Sequence, residues 1–207
     1  MKHAFFTGIC SGILVGIGGC VYLACDDRVT GAVCFSVALL SICLLGTYLY
    51  TGKIGLFAEE ITAENARMLP LGLLGNWIGA VLTGLVVPTA SETIAVKAAA
   101  LAEKKAQIPF PSALILGFFC GILMYAAVKP WASHKRLIGV VFCIPAFILC
   151  GFEHSIADMF YMTAGRVFTP ARSLFLLAVV IGNTLGGMLL PLLIRLGKPS
   201  SAPSPKP

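Results

Sequence analysis

Six runs of apolar residues divide this chain, at positions 5–24, 29–50, 68–87, 111–128, 137–163 and 173–196. Each approaches the roughly 17–25 residues that cross the hydrocarbon core of a bilayer, and nothing else in the sequence constrains the fold as strongly. Lipid offers the backbone no hydrogen-bonding water. Each run must therefore be helical, and non-helical backbone is tolerated only where protein or a water-filled cavity covers it. The expected fold class is an all-α membrane protein. Six transmembrane helices form one domain over residues 1–196, followed by a Pro/Ser-rich tail, 197–207, of disordered composition. With 58% hydrophobic and only 12% charged residues, the composition excludes an ordinary soluble domain.

The first run follows Lys2 and reaches "YLAC" at positions 22–25, which has the outline of a lipoprotein cleavage site. Tyr22 is too bulky for such a site, and the run has an internal counterpart, so it is read as a span. The net charge of +6 is dispersed over the ends of the runs, without a basic stripe carrying aromatics, which argues against a nucleic-acid partner. If both termini are cytoplasmic, nine of the 15 Lys and Arg residues fall inside, namely Lys2, Lys53, Arg67, Lys129, Lys135, Arg136, Arg195, Lys198 and Lys206. The remaining six fall outside, a bias that favours this orientation. The eight cysteines have no CxxC spacing and are read as small buried hydrophobes; no metal or cofactor is expected.

The two halves repeat. "GIL" occurs at 12–14 and 121–123, an offset of 121 − 12 = 109, and "GNWIGA" at 75–80 answers "GNTLGG" at 182–187, an offset of 182 − 75 = 107. Matching the Gly- and polar-rich interruptions sets "LYTGKIG" (49–55) opposite "GFEHSIA" (151–157), a nearby offset of 151 − 49 = 102. Three runs per half start the second half from the opposite face, so the halves are expected to be inverted repeats about an axis in the membrane plane. Gly and polar residues inside apolar runs at both places predict broken helices 2 and 5, whose ends point into a cavity. Asn76 and Asn183 have two readings, hydrogen-bonding glue between closely packed helices or contact with a solute. Gly75, Gly79, Gly182, Gly186 and Gly187 are read as close-packing positions.

"CGFEHSIADMF" (150–160) carries Glu153, His154 and Asp158 into the fifth run. Ionisable groups at membrane depth are costly and mark ion or proton pathways. The stretch resembles the signature of the formate/nitrite transporter family, pentameric channels for small monovalent anions with an aquaporin-like inverted-repeat protomer. "GNWIGA" and "GNTLGG" resemble that family's third- and sixth-span motifs. "LYTG" resembles the loop that interrupts its second helix, and "KAQIPF" (105–110) the segment before its fourth.

The resemblance implies a multi-pass homopentamer of the bacterial inner membrane with a pore in each protomer. His154 is implied to face Thr51 at its centre, with Phe35, Leu39, Tyr50 and Phe147 as apolar constrictions. Lys105, with Lys104 as the alternative, is implied to attract the anion at the outer mouth. Glu153 belongs to a polar network in which Asp158 and Tyr125 replace residues that are usually Asn. Lys53 is a further candidate cation.

These parts fit one chemistry. A small anion loses much solvation energy on entering hydrocarbon, whereas its neutral acid loses far less. A vestibule lysine draws the anion in. An imidazole, with an ordinary pKa of about 6.5, exchanges protons near neutral pH, and the Thr51 hydroxyl both donates and accepts. Asp158, four residues after His154, is expected to pair with Lys105 and weaken the attraction. The Tyr50 hydroxyl is expected to favour hydrosulfide over formate. The reading is thus a channel for small monovalent weak-acid anions of the formate or nitrite class, and not an enzyme. Hydrosulfide or short-chain carboxylate transport on the same scaffold is the alternative, and channel against proton symport stays open. A remote alternative is an intramembrane enzyme using Glu153, His154 and Asp158, although no second His lies at helical spacing for a metal.

Overall fold

The structure is a computed structural model that describes residues 1–167 and 170–197, the side chains of 170–172 excepted. Among the described residues the elements are helices: α1 (Lys2–Ala24), α2 (Arg28–Leu45), α3 (Tyr50–Glu59), α4 (Ala63–Ala90), α5 (Glu92–Ala106), α6 (Phe110–His134), α7 (Ile138–Cys150), α8 (Ser155–Ala164) and α9 (Pro170–Leu196). Of these α1, α2, α4, α6 and α9 are long and apolar enough to cross a bilayer. α7 and α8, bent by 57° at a short break, make a sixth if taken as one span. Beyond Gly197 the expected tail lies outside the described residues.

Local signals set several boundaries. Asp27, Thr62 and Ser91 cap α2, α4 and α5 by accepting the N–H of Thr30, Asn65 and Ile94 at 2.6, 3.1 and 3.4 Å. Pro109 and Pro111 bracket the start of α6, where the missing N–H has no helical partner to lose. α5 was not expected. It fills the connection between the third and fourth runs and buries only Ala98 and Ala102, resting on α8. Its lysines and glutamates hide it from an apolar-run reading.

α1 packs chiefly on α4 and α6 on α9. The approach is close because glycines line both seams. A Cβ on Gly79 would stand 2.9 Å from the Gly12 Cα, and one on Gly117 would stand 3.1 Å from the Val179 Cα, inside normal contact. Such contact brings backbone carbonyls of one helix within reach of the asparagines of the next.

Both expected breaks are present. α2 ends at Gly46 and α7 at Gly151, each in the left-handed region (φ 67° and 72°), which glycine enters without a Cβ penalty. In each, a turn bond follows: Thr47 N–H to Ile42 O at 3.1 Å, and Phe152 N–H to Phe147 O at 2.9 Å. The chain then runs extended through Leu49 (φ −100°, ψ 119°) and His154 (φ −110°, ψ 109°) before α3 and α8 begin. The breaks therefore correspond at an offset of 151 − 46 = 105. This corrects the motif register by three residues: the counterpart of His154 is Leu49, because an extended segment precedes each helix restart.

Candidate functional site

The two breaks meet inside the bundle. The fully buried Thr51, in the first turn of α3, places its Oγ1 2.8 Å from Nε2 of His154. The other ring nitrogen, Nδ1, accepts the Ala157 N–H at 3.3 Å and so caps α8. With Nδ1 occupied as an acceptor, this hydrogen-bond pattern puts the proton of the neutral imidazole on Nε2, donating to Thr51. Phe147 stacks on the imidazole, ring centroids 5.9 Å apart.

Asn76 and Asn183 secure the breaks. Asn76 Oδ1 accepts the Tyr50 N–H at 2.8 Å, while its amide donates to Gly8 O and Tyr48 O at 2.9 and 2.8 Å. Asn183 does the same with Ser155 N–H at 2.9 Å and with Gly117 O and Glu153 O, both at 2.8 Å. Both side chains are wholly buried and bond backbone groups that the interrupted helices leave without partners. This geometry fits interhelical glue, directed at the breaks themselves.

Three cavities adjoin in a row. The first, about 220 Å³, is lined by Lys105, Lys104, Arg28, Glu153, Asp158 and Tyr161 and ends on Phe35, Phe147 and His154. Those last three also wall the second, a space of about 10 Å³. Its far side is Leu39, Ile42 and Leu49, which in turn bound the third, about 50 Å³, where Lys53 and Trp131 stand. The expected constriction residues Phe35, Leu39 and Phe147 are thus brought together.

Tyr50 is not among them, which corrects the expectation. Its ring packs with Ile54 and Leu69, and its hydroxyl lies 2.7 Å from Thr184 Oγ1 on α9, so Leu49 takes the facing position. Ile42 was missed as well. It follows Phe35 and Leu39 on one helix face (35, 39, 42), and that spacing could have found it.

The charged residues sort into two groups. Lys105, in the last turn of α5, forms a hydrogen-bonded ion pair with Glu153 and lies 2.9 Å from Asp158 Oδ1. The expected Lys105–Asp158 pair is accompanied by a second carboxylate on the same ammonium. Lys104 beside it is exposed. Tyr125 corrects another expectation: it does not join Glu153 but donates to Glu59 at 2.6 Å, beside a Lys129–Glu59 ion pair of 2.5 Å, because that stretch of α6 faces the end of α3. Lys53 lines the third cavity, 5.7 Å from the Tyr48 ring centroid, and not the vestibule of Lys105.

Arg28, unassigned from sequence, donates to Ile148 O and Leu149 O at 3.1 and 3.0 Å, capping the end of α7. Nearby, the Thr30 N–H holds the exposed Asp27 carboxyl below its ordinary value. Glu153 and Asp158 turn to Lys105 while His154 turns to Thr51, so the three do not converge on one point. Among the described residues no three His, Cys, Asp or Glu side chains are grouped to hold a metal.

The sequence pattern of the formate/nitrite transporter family matches residues 1–196. The chain is 30% identical over 178 residues to a protein of Bacillus subtilis (strain 168) described as uncharacterized transporter YrhG, covering 76% of this chain and 66% of that one. It is 24% identical over 204 residues to the formate channel FocA of Escherichia coli (strain K12), covering 83% and 70%. The matched part spans about two thirds of the length of these relatives. They are transport proteins, not enzymes. A solved pentameric formate channel with formate bound superposes with a TM-score of 0.76 at 21% identity, over 94% of each chain, which shows a shared fold.

Proposed function

The chain belongs to the formate/nitrite transporter family, and on that premise we propose that it is a channel for small monovalent anions of weak acids, formate or nitrite in class, working as a homopentamer with a path through each protomer. The observation that carries this reading is the row of cavities, whose narrowest point lies between Phe35, Phe147, His154 and Leu39, Ile42, Leu49. α1–α3 and α6–α8, with α4 and α9, form two inverted three-span halves, and the mirrored breaks and asparagines support that reading. The protein sits in a bacterial inner membrane with cytoplasmic termini, so that the Lys105 vestibule faces outward.

An anion is drawn into the vestibule by the exposed cations Lys104 and Arg28, while Lys105, deeper in, is held by Glu153. At the apolar partition it loses its water, which disfavours the anion against the neutral acid. The Thr51–His154 pair is the polar contact at that point. Protonating Nδ1 of His154 would remove the acceptor that caps α8, so the pair acts mainly as a neutral hydrogen-bonding relay. Hydrosulfide or a short-chain carboxylate remains the second substrate reading; channel and symport differ in whether a proton crosses with each anion.

The test is stopped-flow uptake into proteoliposomes, comparing formate, nitrite, hydrosulfide, acetate and chloride for the wild type and His154→Ala. Passage of weak-acid anions with exclusion of chloride is the expected result, together with altered selectivity in His154→Ala. Equal passage of chloride by the wild type would overturn the reading.

A further inference from the structure

The cluster at Lys105 holds more negative than positive charge. Glu153 and Asp158 are 4% and 1% exposed, and both lie within ion-pair distance of one ammonium. Fully ionised, the buried sum is +1 − 2 = −1. An uncompensated charge at that depth is strongly disfavoured, and two carboxylates in one site do not ionise independently. The first-turn position of Asp158 on α8 favours a carboxylate through the helix dipole, but that is the smaller effect.

A second, independent observation singles out Asp158. Glu153 receives the Lys105 hydrogen bond, whereas neither buried oxygen of Asp158 has a hydrogen-bond partner. Lys105 Nζ stands 2.9 Å from Oδ1 but off its bonding direction. A carboxylate there leaves a charge on unsolvated lone pairs, whereas the carboxylic acid carries no charge to solvate.

We propose that Asp158 is a proton-binding site: it stands as a neutral carboxylic acid beside the Lys105–Glu153 ion pair, and loss of its proton at higher pH makes the vestibule less attractive to anions. The proposal rests on the channel reading and adds its regulation. On release the Asp158 O–H bond breaks, the electron pair stays on the carboxylate oxygen, and the proton passes to vestibule water. The acid form leaves Lys105 balanced by Glu153, with the exposed Arg28 and Lys104 setting the sign at the rim. The carboxylate form adds one buried negative charge that solvent screens poorly.

The other groups facing this site are Cys120 from α6 and Tyr161 from α8, with Cys20 and Tyr22 of α1 behind Tyr161 and His154 at the cavity floor. α4 and α9 meet the α8 segment through Gly84 and Asn183, neither of which titrates. No other carboxyl among these groups competes for the proton.

The experiment has two readouts on purified protein. Infrared spectra of the wild type at neutral pH are expected to contain a protonated-carboxyl C=O band that shifts when aspartate, and not glutamate, side-chain carboxyls carry carbon-13, and that is lost in Asp158→Asn. Glu153→Gln leaves Asp158 as the sole carboxyl on Lys105 and is expected to lose the band too, by ionising that carboxyl. A wild type without the band, or a band that shifts with labelled glutamate instead of labelled aspartate, overturns the proposal. In proteoliposomes, the ratio of wild-type to Asp158→Asn formate uptake cancels the titration of formate itself. That ratio is expected to fall as pH rises, since Asn mimics the acid form; a flat ratio overturns the proposal. If Asp158→Asn does not fold, the labelled wild-type spectra still decide. A wild type that carries no anion at all would sink the channel reading while leaving the infrared band to stand or fall by itself.

Discussion

Thr51 and His154 meet because each sits just beyond a helix break, where a side chain reaches the bundle interior without an intervening turn of helix. Thr51→Val keeps the shape but leaves the buried imidazole N–H without its acceptor. It should cost about 1–3 kcal/mol in unfolding experiments and lower formate uptake, with Thr51→Ser recovering both. Uptake unchanged in Thr51→Val would detach the pair from the path. Tyr50→Phe should lose only the contact with Thr184, roughly 1 kcal/mol, with the ranking of permeant anions unchanged because the ring lies away from the cavities. Sequence alone placed Tyr50 at the constriction, since adjacent residues at a break differ only in which way the backbone turns them. That turn depends on the Tyr50 N–H being held by Asn76, 26 residues away. Phe35, Leu39 and Phe147, by contrast, were legible because they sit inside regular helix, where spacing fixes the face.

At the scale of elements, the breaks are built from two parts each, a left-handed glycine and a distant asparagine. Gly151→Ala should destabilise the protein by about 1–2 kcal/mol, the cost of placing a Cβ at φ 72°. Asn183→Ala removes three hydrogen bonds to buried backbone and should cost at least about 2 kcal/mol. Both should depress formate uptake more than the corresponding changes at Gly46 and Asn76, because α8 carries His154. Denaturant unfolding together with uptake checks this, and equal uptake losses at the two breaks would contradict it. The apolar runs made the spanning helices readable, and Gly with polar residues inside two runs made the breaks readable. α5 was not, because its 15 residues carry four charged side chains at Lys97, Glu103, Lys104 and Lys105 besides Glu92, and only its two small alanines are buried. A helix that lies against a neighbour through so little apolar surface leaves no periodic signature.

At the scale of the molecule, the protomer exposes large apolar side chains such as Phe6, Leu45, Phe142 and Leu196 on its outside. Such a surface suits lipid and neighbouring copies. A pentamer predicts a detergent-solubilised particle of five chain masses by light scattering, and a monomer or dimer there would contradict it. Nothing in one chain's sequence states that number, since the same apolar exterior serves lipid or protein; it enters through family resemblance. The central claim is that anions cross inside each protomer, through the small cavity between the Phe35–Phe147 and Leu39–Leu49 partitions. Stopped-flow formate uptake into proteoliposomes holding equal amounts of folded wild type or Leu39→Trp tests it most directly. The account predicts rapid uptake by the wild type and uptake near that of empty liposomes for Leu39→Trp, whose indole fills the roughly 10 Å³ space. A Leu39→Trp protein as fast as the wild type, or a wild type no faster than empty liposomes, would contradict it.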